Sequence, residues 1–110
     1  MKISDEIRAE VSEMGMHPFD INDGYCEDFA NNVIARMGGY RDGLCETEVE
    51  IETKGQIGCQ DLPGHVWIVC DGLHYDAEEP QGVDDWRELP LFARLGRIDR
   101  YKELLGGLLR

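Results

Sequence analysis

Three side chains that together can perform acyl transfer occur in order along this sequence: the thiol of Cys26, the imidazole of His65 and the carboxylate of Asp76. Cys26 follows the residues DGY and begins a stretch with helical periodicity, which places it in the first turn of a predicted helix. Free backbone N–H groups and the helix dipole at that position stabilise a thiolate and can bind a developing oxyanion. Cys26 is therefore a candidate nucleophile, and simple packing is the alternative.

The imidazole and the carboxylate belong to a predicted β-hairpin over residues 65–78. Its strands, HVWIVC and LHYDAE, flank Asp71-Gly72, a dipeptide that favours a two-residue type I′ turn. With this turn, one face of the hairpin is apolar and carries Val66, Ile68, Cys70, Leu73, Tyr75 and Ala77. The other face carries His65, Trp67, Val69, His74, Asp76 and Glu78. A shift by one residue would mix the two sets, so the apolar face supports this register.

In this register His65 and Asp76 are diagonal neighbours, roughly 7–8 Å apart at Cα and within reach of each other. A carboxylate that orients an imidazole allows it to take or hold the proton of a thiol. Glu78, directly opposite His65, is the alternative orienting carboxylate, and His74 is expected at the surface. The non-catalytic alternative for His65 is a strand-end histidine that is satisfied by solvent.

The runs GYCEDFA and GHVWIVCDGLHYDAE resemble the core of transglutaminase-like domains, within the papain-like superfamily of cysteine enzymes. The resemblance covers roughly residues 22–80 and implies Cys26 as nucleophile, His65 as base and acid, and Asp76 as the orienting group. It also implies that Trp67, at the tryptophan position of an H-x-W motif, walls the active-site cleft.

One residue of the papain pattern is missing, because no glutamine precedes Cys26 to serve as an oxyanion donor. Asn22, Tyr25 and the backbone N–H of Cys26 are the alternative donors. Together with Trp67 and Glu78, the side chains of Asn22 and Tyr25 complete the predicted substrate cleft.

The predicted elements are two helices, three strands and a helical C-terminal part. The first helix covers residues 4–14 with Ser4 as N-cap, and the second covers residues 24–37, capped by Asn22 or Asp23. A strand over residues 46–54 places four glutamates on one solvated edge face. Residues 78–85 are expected to form a loop, followed by a short helical piece near residues 86–92 and a helix near 99–109. This order predicts a single α+β domain over residues 1–110, with a small antiparallel sheet on a central helix that carries Cys26 at its N-terminus.

Composition limits the partners. The chain has 110 residues and a formal net charge of −12. Residues 1–86 hold 20 acids against 5 bases, whereas residues 87–110 hold 3 acids against 6 bases. Such a body disfavours direct nucleic-acid binding and suits a cationic substrate or a basic protein partner. No membrane span and no nucleotide, flavin or metal motif is recognised, so we expect no cofactor, and four cysteines without a signal peptide predict reduced thiols in the cytoplasm.

Three functions compete. The first is a thiol enzyme, by preference a peptidase or amidase, which forms a thioester on Cys26; transamidation is the variant that the motif does not distinguish. The second is a non-catalytic, acidic inhibitor or binding protein that mimics a polyanion on a basic partner. The third and weakest is a metal site built from Cys59, His65 or Cys70 with carboxylates, because strand parity places Cys70 and His65 on opposite faces.

Overall fold

A computed structural model describes residues 2–49 and 65–94. N-terminal helices pack on a four-stranded antiparallel sheet, which confirms the α+β class. The helices are α1 (Ile3–Met14), α2 (Pro18–Asn22) and α3 (Cys26–Arg36), and the strands are β1 (Leu44–Val49), β2 (His65–Cys70), β3 (Leu73–Asp76) and β4 (Glu79–Val83). A 3-10 helix follows at Trp86–Glu88, and residues 90–94 form a helical turn that begins at a proline.

The β2–β3 hairpin has the predicted turn and register. Asp71 and Gly72 have φ values of 51° and 84°, as a type I′ turn requires. Cys70 pairs with Leu73 and Ile68 with Tyr75, so the apolar face of the hairpin is the one predicted from the alternation. The spatial order of the described strands is β1-β2-β3-β4, so β1 lies at one edge of this sheet. The predicted solvated glutamate face is wrong at Glu46, because Glu46 pairs with Ile68 and lies half-buried on the face that packs against the helices.

The apolar face of the sheet and the helices form one core. Helix α3 contributes Phe29, Ala30, Val33 and Ile34, which are all at most 2% exposed. They pack with residues of α1, α2 and the sheet: Ile3, Ile7, Ile21, Leu44, Ile68, Cys70, Tyr75 and Ala77. The apolar stripe predicted for the central helix is therefore its buried face. The packing of this face holds Cys26, the first residue of α3, against the sheet.

The helix N-termini differ from the predictions. Helix α1 begins at Ile3 after Lys2, so Ser4 lies inside the helix and is not its N-cap. Helix α3 begins two residues later than predicted, and Tyr25 occupies its N-cap position without a side-chain cap bond among the described residues. Asn22 does not cap α3, because it is the last residue of α2.

Helix α2 itself was not predicted. Pro18 stands at its first position, where a missing N–H costs nothing, and Nδ1 of His17 accepts a hydrogen bond from the backbone N–H of Phe19 at 3.1 Å. The proline therefore begins a short helix between the two helices that the sequence predicted.

The segment predicted as a loop over residues 78–85 contains strand β4. It pairs with β3 through His74 and Val83 and through Asp76 and Glu79, with an irregularity between the two pairs. Gly82, with φ of 79°, lies under the ring of Tyr75, where a Cβ would come within 2.7 Å of two ring carbons. Proline and glycine in EPQGV obscured the strand, because both are uncommon in strands and this one is a sheet edge.

Several predictions fall outside the described residues. The glutamate strand is confirmed over Leu44–Val49, while its predicted continuation through residues 50–54 is not described. The same holds for Cys59 and for the predicted helix near residues 99–109.

Candidate active site

Cys26 is the first residue of α3 and is 9% exposed. Its neighbours along the chain are exposed: Asp23, Gly24, Tyr25, Glu27 and Asp28. The thiol therefore lies at the bottom of an acidic, solvated rim, at the end of a helix whose N–H groups favour a negative charge.

His65 and Asp76 form the second part of the site. Nε2 of His65 lies 3.0 Å from Oδ2 of Asp76, and both residues are 1% exposed. The other oxygen of this carboxylate, Oδ1, accepts the backbone N–H groups of Glu78 and Glu79, each at 3.0 Å. Asp76 is thus held from one side by the β3–β4 turn and presents its other oxygen to the imidazole.

The thiol of Cys26 is acidified by this arrangement. Burial disfavours the thiolate, but the interaction with His65, the backbone N–H groups of Val66 and Glu27 and the charge on His65 outweigh it, so the pKa of Cys26 falls below the usual 9.0. A lowered pKa is what a nucleophilic thiol requires at neutral pH, because the thiolate is the reactive species.

The imidazole is shifted in the opposite direction. Burial disfavours the charged ring, but Asp76 and Cys26 stabilise it, and the pKa of His65 rises from 6.5 to about 9. Because Nε2 faces Asp76, Nδ1 is the nitrogen left for Cys26, and it makes no hydrogen bond to any described residue. Catalytic hydrogen bonds are often long in the absence of substrate. The arrangement can hold a thiolate beside an imidazolium, with the proton stored on His65.

Trp67 lies next to His65 as part of an aromatic cluster. The Trp67 and His65 rings stack with centroids 5.9 Å apart, and Phe92 contacts the His65 ring edge-on at 5.5 Å. Trp86 stacks on Trp67 at 5.6 Å and meets Phe92 at 4.9 Å. Trp67 is 3% exposed because Trp86 and Phe92 cover it, and its place in the wall of a substrate cleft stays a prediction. We call the rings of Trp67, Trp86 and Phe92 the aromatic wall beside His65.

His74 is not the surface residue that the sequence predicted. It is half-buried, and its Nδ1 accepts the indole N–H of Trp67 at 2.9 Å. This bond satisfies the only polar group of a buried tryptophan and so orients the wall beside His65.

Glu78 does not bind His65. Its Oε1 accepts from Nδ2 of Asn22 at 3.0 Å, and its carboxylate forms a two-point ion pair with Arg94 at 2.7 and 2.9 Å. Burial of the Glu78 carboxylate raises its pKa, but the hydrogen bonds from Arg94 and Asn22 and the charge of Arg94 have the larger effect, so the pKa of Glu78 is lowered. The choice between two orienting carboxylates is therefore resolved in favour of Asp76.

The two side chains considered as oxyanion donors lie in different surroundings. Asn22 is 4% exposed, and its Oδ1 has no partner among the described residues. Tyr25 is 49% exposed at the N-terminus of α3. Both precede Cys26 in the chain, and the side-chain amide of Asn22 donates one of its N–H groups to Glu78.

The sequence predicted Phe92, with Trp86 and Leu89, as a packing anchor of a segment that closes over the hairpin or reads substrate, and the Phe92 ring does contact His65 and Trp67 of the hairpin. Nothing in the local sequence distinguished Arg94. Pro90 in the segment WRELPLFAR indicated a break, although it starts the helical turn that carries both residues. A proline at the first position of a helix was the available signal.

The remaining described cysteines lie away from the site. Cys45 is exposed, and Cys70 is buried on the opposite face of β2 from His65. Across residues 2–49 and 65–94 no cluster of three or more His, Cys, Asp or Glu side chains is arranged to hold a metal ion. The metal hypothesis thus receives no support from the part that contains two of its three proposed ligands.

Comparison of the chain with protein-family models, with curated proteins and with solved structures finds no match. Within the described residues, the helices are too short or too polar to cross a membrane.

Proposed function

We propose that this protein is a thiol enzyme of the papain-like, transglutaminase-like type, which transfers acyl groups through a thioester on Cys26. The observation that carries the proposal is the placement of three groups: a thiol at a helix N-terminus, an imidazole close enough to lower the pKa of that thiol, and a buried carboxylate 3.0 Å from the distal nitrogen of that imidazole. Such a constellation supports nucleophilic catalysis on unrelated folds.

In this mechanism the Cys26 thiolate attacks the carbonyl carbon of an amide or ester and forms a tetrahedral oxyanion. Collapse of this intermediate breaks the bond to the leaving group, which takes the proton from Nδ1 of His65. Water then gives a proton back to His65 and attacks the thioester, which releases the carboxylic acid and restores the thiolate. Asp76 keeps the imidazole oriented and stabilises its charge throughout.

The surface around Cys26 favours a cationic substrate. Asp20, Asp23, Glu27 and Asp28 are all exposed around the N-terminus of α3, and Tyr25 between them offers an aromatic face to a cation. A peptide or amide that carries lysine or arginine near the scissile bond fits this rim. We favour hydrolysis over transamidation, because the residues on both sides of the buried Cys26 in the chain are exposed, so water has access to the surroundings of the thiol.

The experiment that tests the proposal is alkylation of the cysteines between about pH 5 and 9, read peptide by peptide by mass spectrometry. Exposed Cys45 and buried Cys70 serve as internal controls. We expect Cys26 to react fastest, to keep reacting below pH 7, and to lose this advantage in His65→Ala. A Cys26 profile that matches that of Cys45 would contradict the proposal.

Substrate screening is justified once alkylation has shown that Cys26 is the activated thiol. Peptide, amide and ester libraries with cationic, neutral and anionic side chains would be compared, with Cys26→Ala as the inactive variant. The expected outcome is hydrolysis of cationic members that Cys26→Ala abolishes while its circular dichroism matches that of wild type.

The second candidate is the acidic binding protein that mimics a polyanion. It is supported by the same exposed acids and by the net charge of −12. It predicts salt-sensitive binding to a basic protein that Cys26→Ala leaves unchanged, whereas the enzyme proposal predicts that this substitution removes turnover.

A further inference from the structure

The β3–β4 turn binds the carboxylate of Asp76 and also contains Glu78, the alternative carboxylate partner of His65. The backbone N–H groups of Glu78 and Glu79 bind Oδ1 of Asp76. The Glu78 side chain belongs to the same turn and carries a second carboxylate on the face of the hairpin that holds His65. Strict alternation along the hairpin would place Glu78 opposite His65, but β3 ends at Asp76 and Glu78 lies in the turn that follows. The charge on His65 still contributes to the lowered pKa of Glu78, so the Glu78 carboxylate lies within electrostatic range of the imidazole and can compete with Asp76 for it.

The Glu78 carboxylate is nevertheless directed elsewhere. The guanidinium of Arg94 donates two hydrogen bonds to it, from Nη1 to Oε2 at 2.7 Å and from Nη2 to Oε1 at 2.9 Å. Nδ2 of Asn22 donates a third, to Oε1 at 3.0 Å. Two parallel bonds from one guanidinium fix the orientation of a carboxylate as well as its position. The pair is also sheltered, since the side chains of Arg94 and Glu78 are 31% and 15% exposed.

Arg94 is itself positioned by two elements. It extends from the helical turn over residues 90–94, which also carries Phe92 against His65. Its guanidinium lies over the ring of Phe19 in α2, 4.7 Å from the centroid. Arg94 therefore links three parts of the structure: the segment that carries Phe92, helix α2 and the β3–β4 turn that binds Asp76.

We propose that Arg94 is a positioning residue that withholds Glu78 from His65 and so makes Asp76 the orienting carboxylate of the site. This inference rests on the proposed thiol chemistry, and it assigns a role to a residue outside the Cys26, His65 and Asp76 constellation. Without Arg94, the Glu78 carboxylate becomes free to turn toward the imidazole and draw it away from the thiol.

The experiment compares the pH midpoint of Cys26 alkylation by iodoacetamide in wild type and three variants. In Arg94→Gln we expect the midpoint to rise by about one pH unit, which is about a tenfold lower rate at pH values below the midpoint. The double variant Arg94→Gln/Glu78→Gln removes the competing acid as well, and we expect its midpoint to return most of the way to the wild-type value. Arg87→Gln is the matched control, because Arg87 is 73% exposed and pairs with Asp85.

Two results would overturn the inference: an Arg94→Gln midpoint equal to that of wild type, or a double variant shifted as far as the single one. The second result would mean that Arg94 merely anchors the turn over residues 90–94, since removal of Glu78 cannot restore a lost anchor. Failure of the thiol chemistry itself is recognised separately, by a wild-type Cys26 midpoint equal to that of Cys45. Circular dichroism and thermal unfolding of each variant show that the comparison is made between folded proteins.

Discussion

His65 and Asp76 form their hydrogen bond along a diagonal of the β2–β3 hairpin, at 3.0 Å between Nε2 and Oδ2. The strand irregularity between His74 and Asp76 occurs where β3 turns into β4, and this turn supplies two backbone N–H groups to Asp76. The orientation of the imidazole therefore depends on a third strand as well as on the hairpin that carries both residues.

Asp76→Asn tests the carboxylate. The amide can keep its oxygen on the two backbone N–H groups, but it then presents an N–H to Nε2 of His65, which no longer gains from being protonated. We expect the pKa of His65 to fall and the alkylation of Cys26 at pH 6 to slow by about tenfold or more. Asp85→Asn is the control, because Asp85 binds Arg87 within its own turn. Unchanged alkylation in Asp76→Asn would show that the carboxylate has no influence on the thiol.

The stability of a Cys26→Ala variant should depend on pH through His65. In this variant the contribution of Cys26 is lost, but the hydrogen bond and charge of Asp76 still raise the folded pKa of His65, so this group contributes stability that is present below pH 6.5 and is lost as the pH rises through the folded value. We expect the free energy of unfolding to be about 1 kcal/mol lower at pH 8.5 than at pH 6.5 in this variant, by comparison with Cys26→Ala/His65→Ala. Urea unfolding at a series of pH values measures it.

The wild type should lack this slope. The thiolate–imidazolium pair that the proposed chemistry requires holds one proton, on His65, and between the unfolded pKa values of histidine and cysteine the unfolded chain also holds one proton, on the thiol. Equal proton numbers give no pH dependence from the pair. A wild-type slope as steep as that of Cys26→Ala would contradict a thiolate beside an imidazolium.

Phe92→Ala tests the aromatic wall. Phe92 contacts His65, Trp67 and Trp86, with ring centroids 4.9 to 5.5 Å away. Because Phe92 is only half-buried, we expect a loss of about 1–3 kcal/mol of stability, below the range for a fully buried phenylalanine. We also expect faster modification of His65 by diethyl pyrocarbonate, whereas Phe92→Leu should retain most of the protection. Equal His65 modification in wild type and Phe92→Ala would show that other groups shield the imidazole.

Gly82→Ala tests strand β4, which the sequence did not predict. Its Cβ would meet the Tyr75 ring at 2.7 Å, and its φ of 79° disfavours a side chain. Gly72→Ala is the matched control, since Gly72 also has a positive φ, 84°, but a Cβ there would have no described atom within 4 Å. We expect both variants to lose about 1 kcal/mol from backbone strain, and Gly82→Ala to lose about 1–3 kcal/mol more from overpacking. Equal losses, measured by urea unfolding, would argue against β4 packing on Tyr75.

Local patterns in the sequence determined the parts that depend on near neighbours. Alternation around Asp71-Gly72 defined the hairpin and its register, and the helical stripe from Phe29 to Ile34 defined the buried face of α3. Since strand side chains alternate strictly, the same pattern placed His65 and Asp76 on one face. The order of the elements predicted that the sheet packs on the helix that carries Cys26, but it did not determine which end of the hairpin meets the thiol, because no local pattern links residues so distant in the chain.

Residue alternation left two carboxylates as partners of the imidazole, the family resemblance implied Asp76, and the tertiary structure shows the His65–Asp76 contact. Asp76 and Glu78 lie on the same predicted face, and the predicted register made Glu78 the more direct neighbour of His65. The choice depends on Arg94 and Asn22, which are 16 and 56 residues from Glu78 in the chain. It also depends on β4, whose turn binds Asp76 although its proline and glycine indicated a loop. Contacts across such separations have no period or spacing in the sequence, so only the packed fold brings them together.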